Sequence, residues 1–280
     1  MTHLHKPSSI ERIWRRYDAD EVRLTAAVSQ RMLDVAGLEP GMRVVDIATG
    51  RGEPAIRAAK RVGPTGSVTG VDIAADMLGM TRERATAEGI TNLELLRANP
   101  EDSTVLLPEY YHCGLARWGL MYFDDPLAAL HSIHRALVPG GIFVAAYWAE
   151  PERVNYFSLP RELLQRYKRL PPMDPQAPGA FRFATIETIE RFYSASPFKI
   201  LAVEELETAV MEADTDRALI DWTRAFGMAR LLEDLPESIQ HSWEADLVRA
   251  AAPLKSNGFV RLGGTTRLVV AQRPPTETGA

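Results

Sequence analysis

The fold is decided by the stretch Arg43-Val44-Val45-Asp46-Ile47-Ala48-Thr49-Gly50-Arg51-Gly52-Glu53-Pro54. Its first half is a short β-branched run, which is typical of a buried strand in a parallel sheet. Its second half is a glycine-containing turn, and a helix is predicted to begin at about Pro54. A strand, a turn and a helix in this order predict the first crossover unit of a parallel sheet.

The same alternation continues on both sides of this stretch. Helices of ten to fifteen residues between strands indicate a sheet that is covered on both faces. We therefore predict an α/β fold with a doubly wound, mostly parallel seven-stranded sheet and a helical lid or cap insertion. The further predicted strands are 67–72, 93–97, 110–116, 142–147, 198–206 and 267–272. The predicted helices are 10–17, 22–36, 54–62, 75–89, 126–137, 151–170, 185–194 and most of 208–251.

After Trp148 the predicted strands and helices no longer alternate regularly, which indicates added segments. Insertions at strand ends often cover a ligand site, and we expect a cap and a lid here. The predicted organisation is an N-terminal helical cover (1–40), an α/β core (41–149), a cap segment (150–182), a continuation of the core (183–206), a helical lid (207–256) and a last strand with a tail (257–280).

The composition is that of an ordinary globular protein. Hydrophobic residues make up 46% and charged residues 25% of the chain, which excludes a disordered or collagen-like protein. The single cysteine, Cys113, has no intramolecular disulfide partner, and the formal net charge of −5 disfavours nucleic acid as a partner. No run of eighteen apolar residues and no targeting segment are recognised, so we expect a cytoplasmic protein without a membrane span.

The predicted chemistry lies at the first turn. Gly50 and Gly52 allow a ligand to approach the backbone, and the helix start offers free N–H groups. Asp72 ends the second strand, where a carboxylate can accept hydrogen bonds from ribose hydroxyls. These features fit two ligands, a nicotinamide dinucleotide and S-adenosylmethionine, and residues 50–55 also satisfy the G-x-G-x-x-A dinucleotide pattern.

The acid at the end of the first strand favours the second ligand. A buried carboxylate at Asp46 suits an ammonium and a sulfonium, and it would repel a pyrophosphate. Ile73 and Met77 are placed to flank an adenine ring. Asn99 and Glu101 supply an amide and a carboxylate that could read the adenine amino group.

Four motifs resemble those of a known family. In sequence order they are Val44 to Gly52, Gly70 to Met77, Ala116 to Pro126 and Arg135 to Gly141. Together they resemble class I S-adenosylmethionine-dependent methyltransferases, in the branch of bacterial small-molecule enzymes related to ubiquinone/menaquinone C-methyltransferases. The resemblance extends over about residues 10–148, and over the last third it concerns the layout only.

The resemblance implies a cofactor site and places for its parts. Asp46, Ala48, Thr49, Gly50 and Gly52 would surround the methionine part of S-adenosyl-L-methionine, Asp72 the ribose, Ile73 and Met77 the adenine face, and Asn99, Pro100 and Glu101 the adenine edge. Arg117 and Trp118 would lie beside the transferred methyl group, and Tyr17 could close the pocket. Three positions depart from the family pattern: Ala48 stands where glycine is frequent, and Asn99 and His112 where aspartate is.

The implied reaction is the in-line displacement of a methyl group from a sulfonium onto an O, N or C atom of a small organic acceptor. Positioning and desolvation can supply most of the acceleration, and a base is needed only where the acceptor loses a proton. The candidate catalytic residues are Arg117, Trp118, Tyr17 and His241. His131 and His134 are interpreted as a helix face that packs on the sheet, and no metal site is expected.

Several alternatives stay open. The aromatic residues of the predicted lid favour an aromatic or apolar acceptor, with secondary metabolism as one setting. A protein of this fold can also use the bound cofactor without methyl transfer, for example as a cyclase. An NAD-dependent oxidoreductase and a pure interaction protein are the remaining hypotheses, and a homodimer is left open.

Overall fold

The computed structural model describes residues 9–172 and 174–276. Residues 1–8 of the predicted N-terminal cover and 277–280 of the predicted tail lie outside the described residues. The chain forms two compact units. The larger unit comprises 27–148, 175–206 and the chain from 266 onward, and the smaller unit comprises the chain up to 26, 149–174 and 207–265.

The secondary structure alternates as predicted in the first half of the chain. The strands are β1 (Arg43–Ile47), β2 (Ser67–Asp72), β3 (Leu93–Arg97), β4 (Tyr111–Arg117), β5 (Leu137–Trp148), β6 (Lys199–Ala213), β7 (Lys255–Ser256) and β8 (Phe259–Gln272). The helices are α1 (Ser9–Leu24), α2 (Ala26–Val35), α3 (Ala55–Val62), α4 (Ala75–Ala87), α5 (Pro126–Ala136), α6 (Asn155–Leu164), α7 (Ile186–Ser194), α8 (Asp216–Thr223), α9 (Ala229–Glu233) and α10 (Glu237–Ala251).

The sheet has the strand order β3-β2-β1-β4-β5-β8-β6, and the short β7 pairs with β8. β1 pairs in parallel with β2 and β4, β2 with β3, and β4 with β5. β8 is antiparallel to β5. This confirms the predicted doubly wound, mostly parallel sheet, and it places the carboxyl ends of β1 to β4 along one edge, where open α/β sheets bind ligands.

The core of the larger unit lies against β1, β4 and β5. α3 turns a face of small residues to the sheet and α2 adds larger ones, so the two helices pack closely on the β-branched strands. The buried residues of this core include Val28, Met32, Leu33, Val44, Ala55, Ala58, Ala59, Val62, Cys113, Leu115 and Val144. A rigid core directly below the β1–α3 turn fixes the position of that turn.

The smaller unit has a hydrophobic core of its own. Trp222 and Trp243 are buried in it together with Tyr17, Leu164 and Leu247. The indole Nε1 of Trp243 donates a hydrogen bond to the Pro160 carbonyl at 3.1 Å, which satisfies the polar atom of this buried side chain. In the part of the chain that the structure describes, no helix is long and apolar enough to cross a membrane.

Several predicted boundaries are wrong, and among the strands the two largest shifts are at the end of β6 and the start of β8. The helix predicted from Thr208 is strand up to Ala213, because β6 continues beside β8 and strand pairing overrides the local helical pattern. β8 begins at Phe259 rather than Arg267, because Gly263 is part of the strand and not a break. A Cβ at Gly263 would lie 1.9 Å from the Thr208 carbonyl oxygen, so the glycine permits the close approach of the two strands.

The N-terminal helix is also divided differently from the prediction. The expected segments 10–17 and 22–36 are α1 and α2, which meet at Thr25. The Thr25 hydroxyl donates to the Glu21 carbonyl at 2.8 Å, a local bond that competes with regular helix geometry. β5 likewise begins at Leu137 instead of Ile142, and it includes Gly140, whose φ is 80°.

Candidate cofactor and active site

The turn between β1 and α3 is built on left-handed backbone conformations. Ala48, Gly50 and Gly52 have φ values of 54°, 56° and 90°. A Cβ at Gly52 would lie 2.8 Å from Thr81 Cγ2 and 2.9 Å from Ile56 Cδ1, so only glycine fits there. The turn is therefore held tightly between α3 and α4 at Gly52, while Ala48 and Gly50 are half-buried.

Asp46 lies at the base of this turn and is 1% exposed. Its Oδ2 accepts a hydrogen bond from the Thr49 hydroxyl at 2.6 Å. Its Oδ1 is buried and has no hydrogen-bond partner among the described residues. Burial raises the pKa of this carboxyl to about 7, although the Thr49 hydroxyl, the Arg117 guanidinium and the Ala55 amide favour its charged form. The site thus contains a buried acid with one free oxygen.

Asp72 ends β2, and each of its carboxylate oxygens accepts one backbone N–H. Its Oδ2 accepts from the Gly50 N–H at 2.9 Å, and its Oδ1 accepts from the Ala74 N–H at 2.8 Å. Each oxygen of a carboxylate has two lone pairs, so both can still accept from a ligand hydroxyl. Asp72 therefore joins the turn after β1 to the start of α4 and presents its remaining lone pairs beside them.

The predicted adenine residues lie at the ends of β2 and β3. Ile73 is 65% exposed, which is high for a large apolar side chain, and Met77 is half-buried on α4. Asn99 Nδ2 donates to Glu101 Oε2 at 3.1 Å, while the Glu101 N–H donates to Asn99 Oδ1 at 3.0 Å. Pro100 between them is buried. Glu101 also accepts from the Asp125 N–H at 3.0 Å, so its carboxylate links the loops after β3 and β4.

A basic residue and an aromatic residue stand where β4 passes into the following loop. Arg117 is the last residue of β4, and Trp118 is the first residue of the loop. Trp118 stacks on Trp148 with ring centroids 4.5 Å apart and an interplanar angle of 7°. The Arg117 guanidinium lies 5.0 Å from the centroid of the Trp118 ring and donates to Ser29 Oγ at 3.2 Å. Trp118 has a φ of 53°, and its buried Nε1 has no hydrogen-bond partner in the described part of the chain. Strain of this kind is common at functional sites.

Gly119 connects this loop to the first turn. A Cβ at Gly119 would lie 2.5 Å from the Cβ of Ala48. The alanine at position 48, one of the three departures from the family pattern, is thus accommodated by a glycine in the loop after β4.

The predicted cofactor residues all belong to the larger unit, at the carboxyl ends of β1 to β4. Tyr17 and His241 belong to the smaller unit, and their catalytic roles stay predictions. Tyr17 packs against Trp222 with ring centroids 4.5 Å apart, and burial raises the pKa of its hydroxyl, which favours the protonated form. His241 is exposed on α10.

His112, His134 and Cys113 pack within the fold of the larger unit. His112 Nδ1 accepts from the Arg43 N–H at 2.9 Å, next to the register shift of β4 against β5. Cys113 is buried, and burial raises the pKa of its thiol. His134 contacts Phe198 edge-on at 5.2 Å. Within residues 9–172 and 174–276, no group of three His, Cys, Asp or Glu side chains could hold a metal ion.

Sequence reasoning missed a buried ionic group below the turn. Glu53 is 7% exposed, and its two oxygens accept from Arg57 at 2.9 Å and Arg84 at 3.0 Å. The spacing of Glu53 and Arg57, four apart on a helix start, is a signal that the sequence carries. Arg84 lies 31 residues after Glu53, and no local pattern connects the two.

Comparison with known proteins agrees with this geometry. The model of the ubiE/COQ5 methyltransferase family matches residues 10–171. The chain is 33% identical over 147 residues to the ubiquinone/menaquinone biosynthesis C-methyltransferase UbiE of Edwardsiella ictaluri, a match that covers 52% of each protein. The chain thus spans about half the length of the curated relatives it matches.

Solved structures share the fold at low sequence identity. A protein of Bacillus halodurans described as a candidate methyltransferase has a TM-score of 0.59 and 16% identity, with 88% of this chain and 98% of that chain covered. The cyclase SpnF has a TM-score of 0.57 and 16% identity, with 89% and 80% covered. The family match confirms the predicted family: the chain belongs to the ubiE/COQ5 methyltransferase family.

Proposed function

We propose that this protein transfers a methyl group from S-adenosylmethionine to a small organic acceptor. The observation that carries the proposal is the free Oδ1 of Asp46, buried at the base of the glycine turn. A buried carboxylate oxygen without a partner is costly, and a cationic ligand would satisfy it. A pyrophosphate, the group that a nicotinamide dinucleotide would place near such a turn, would instead be repelled.

The residues present fit the cofactor in charge and in shape. Asp46 and the turn up to Gly52 would hold the methionine part, where the absence of a side chain at Gly50 leaves space beside the backbone. Asp72 would accept from the ribose hydroxyls, and the exposed Ile73 with Met77 would cover the adenine. The cofactor, when bound, supplies a methyl group that is already activated as a sulfonium. The chain's own contribution is to position it and to exclude water.

The acceptor side is proposed from the loop after β4. The Trp118–Trp148 stack offers an aromatic surface, and the buried Trp118 N–H is a donor for an acceptor oxygen. Curated relatives are named for ubiquinone and menaquinone biosynthesis. We therefore propose an aromatic acceptor with an oxygen substituent, such as a phenol or a quinol. Tyr17 and His241 remain candidate groups for proton transfer, and we propose that the cap (150–182) and the lid (207–256) determine acceptor choice.

The first experiment is a measurement of the melting temperature with S-adenosylmethionine, S-adenosylhomocysteine, NADH or no ligand. A ligand that binds only the folded state raises the melting temperature, and we expect a rise of several degrees with both adenosyl compounds. Asp72→Ala should abolish the rise. Glu190→Ala, which changes an exposed acid on α7, should retain it.

The result also separates the alternatives. A rise with NADH alone would overturn the proposal in favour of an oxidoreductase, and no rise with any of the three would favour an interaction protein. With binding established, transfer of a labelled methyl group to a panel of phenols and quinols tests the reaction. Binding without transfer to any of them would favour a use of the cofactor without methylation.

A further inference from the structure

The turn that would hold the methionine part is attached to α4 at several points. The Arg84 guanidinium donates through one nitrogen to the Arg51 carbonyl at 2.8 Å, and through another to Glu53 Oε1 at 3.0 Å. The Thr81 hydroxyl, one turn earlier on α4, donates to the Gly50 carbonyl at 2.8 Å. The backbone from Gly50 to Glu53 is thus fixed by side chains of one helix.

The same helix carries the adenine side of the site. α4 begins directly after Asp72, and it includes Met77. The Thr81 hydroxyl also lies 3.1 Å from the Met77 carbonyl oxygen. α4 thus contacts the turn through the Arg84 and Thr81 side chains, while its first helical turn carries Met77.

The ion pair of Arg84 with Glu53 is expected to be strong because both side chains are largely shielded from solvent. Glu53 is buried and Arg84 is only 17% exposed at its side chain, so solvent screens this pair little. Removal of one partner of a buried pair leaves an uncompensated charge. A lysine at position 84 would keep the charge, but its single ammonium lacks the planar fork that reaches a carboxylate and a carbonyl at once.

We propose that Arg84 is a positioning residue for cofactor binding, acting through Glu53 and the Arg51 carbonyl on the methionine half of the site. This inference rests on the proposed function. Arg84 acts by holding the turn in its left-handed conformation, and it leaves the ribose and adenine contacts of Asp72, Ile73 and Met77 in place.

The test compares two ligands that differ in the amino-acid part. S-adenosylhomocysteine carries it, whereas 5′-methylthioadenosine has only the adenosine part with a short thioether. Their dissociation constants are measured by calorimetry for the wild-type protein and for Arg84→Lys. We expect S-adenosylhomocysteine to bind at least about 10-fold more weakly and methylthioadenosine less than about 3-fold more weakly, because the lost bonds support only the methionine turn.

Arg57→Ala is the matched control. Arg57 donates to the same Glu53 carboxylate from α3, but among the described residues it forms no hydrogen bond to a carbonyl of the turn. Both ligands should bind this variant within about 3-fold of wild type. Thr81→Val, which keeps the shape and removes the bond to the Gly50 carbonyl, provides a second test if Arg84→Lys fails to fold, and it should show the same selective loss.

Three outcomes would contradict the inference. Equal weakening of both ligands by Arg84→Lys would indicate a general loss of structure, and wild-type affinity for both would show that the bonds do not matter. An equal effect of Arg57→Ala would assign the role to the charge of Glu53 alone. If the wild-type protein bound neither ligand, the proposed function itself would fail. If the wild-type protein bound both ligands and only the effect of Arg84→Lys were absent, the role of Arg84 alone would fail.

Discussion

Asp46 and Asp72 end neighbouring strands at the same edge of the sheet, yet their surroundings differ. Asp72 is half-buried, and both of its oxygens accept backbone N–H groups from the two turns beside it. Asp46 is buried, and one of its oxygens has no partner among the described residues. Asp72 therefore helps to build the site before any ligand binds, while Asp46 gains its partner only from a ligand.

The difference shows how one site combines stability and affinity. The bonds of Asp72 are charge-assisted and stabilise the fold. The carboxylate of Asp46 is destabilised by burial, and its pKa of about 7 reflects that cost. A cation that binds there relieves the cost, so part of the binding free energy is already present in the folded protein as an unsatisfied charge.

The largest expected effect comes from filling the turn that separates the two acids. Gly52→Ala should destabilise the protein by about 3 to 5 kcal/mol, because a side chain at φ 90° is strained and its Cβ would overlap Thr81 and Ile56. Gly50→Ala is the control, since the nearest atom to its Cβ is 3.9 Å away and only the strain of about 1 to 2 kcal/mol remains. Urea unfolding measures both, and equal effects would contradict the packing argument.

Asparagine substitutions should separate the two acids by the sign of their effect on stability. Asp72→Asn loses a charge-assisted acceptor for one of two N–H groups and should destabilise the protein by about 2 kcal/mol. Asp46→Asn retains an acceptor for the Thr49 hydroxyl and removes a buried charge, so at pH 8 its free energy of unfolding should equal or exceed that of wild type. Both variants should bind S-adenosylmethionine at least about 10-fold more weakly. A large loss of stability in Asp46→Asn would contradict the comparison.

The stability of the protein should depend on pH through Asp46. The pKa of this carboxyl in the folded state, about 7, lies above its usual value of 3.8, so the folded state binds the proton more tightly than the unfolded state does. The resulting stabilisation is complete below about pH 4 and is lost as the pH rises to 7. The free energy of unfolding of wild type relative to Asp46→Asn should therefore fall by about 3 kcal/mol between pH 5 and pH 8. A pH-independent difference would show that Asp46 is already ionised at pH 5.

The smallest expected effect concerns the contact of Ala48, which follows β1, with Gly119 in the loop after β4. Gly119→Ala should cost about 1 to 2 kcal/mol, because its Cβ would lie 2.5 Å from the Cβ of Ala48. In the double variant with Ala48→Gly, most of this cost should be recovered, since the overlapping atom is absent. Thermal unfolding of the four proteins completes the cycle, and additive effects would show that the two residues do not interact.

The sequence predicted the sheet and the residues at its edge because both depend on local patterns. The β-branched run before Asp46 and the glycines of the turn specify a strand and a turn wherever they occur. The boundaries that failed depend on partners far away in sequence. β6 extends to Ala213 because it lies beside β8, and β8 continues through Gly263, which lies against Thr208 on β6.

The same distinction holds within the candidate site. The positions of Asp46 and Asp72 at strand ends follow from the sequence pattern, but the free oxygen of Asp46 and the two N–H partners of Asp72 do not. Arg84 was missed because its contact with Glu53 forms only when α4 packs beside the turn. The roles of Tyr17 and His241 stay predictions.

The most direct test of the account is the proton released when S-adenosylmethionine binds at pH 6. Asp46 is mostly protonated at this pH in the free protein and would become ionised beside a cationic ligand, whereas the ligand's own amine stays protonated. Calorimetric titrations in two buffers of different ionisation enthalpy should show a release of more than about half a proton for wild type and about zero for Asp46→Asn. Tight binding without proton release by the wild-type protein would contradict the assignment of Asp46 as the group that receives the cation.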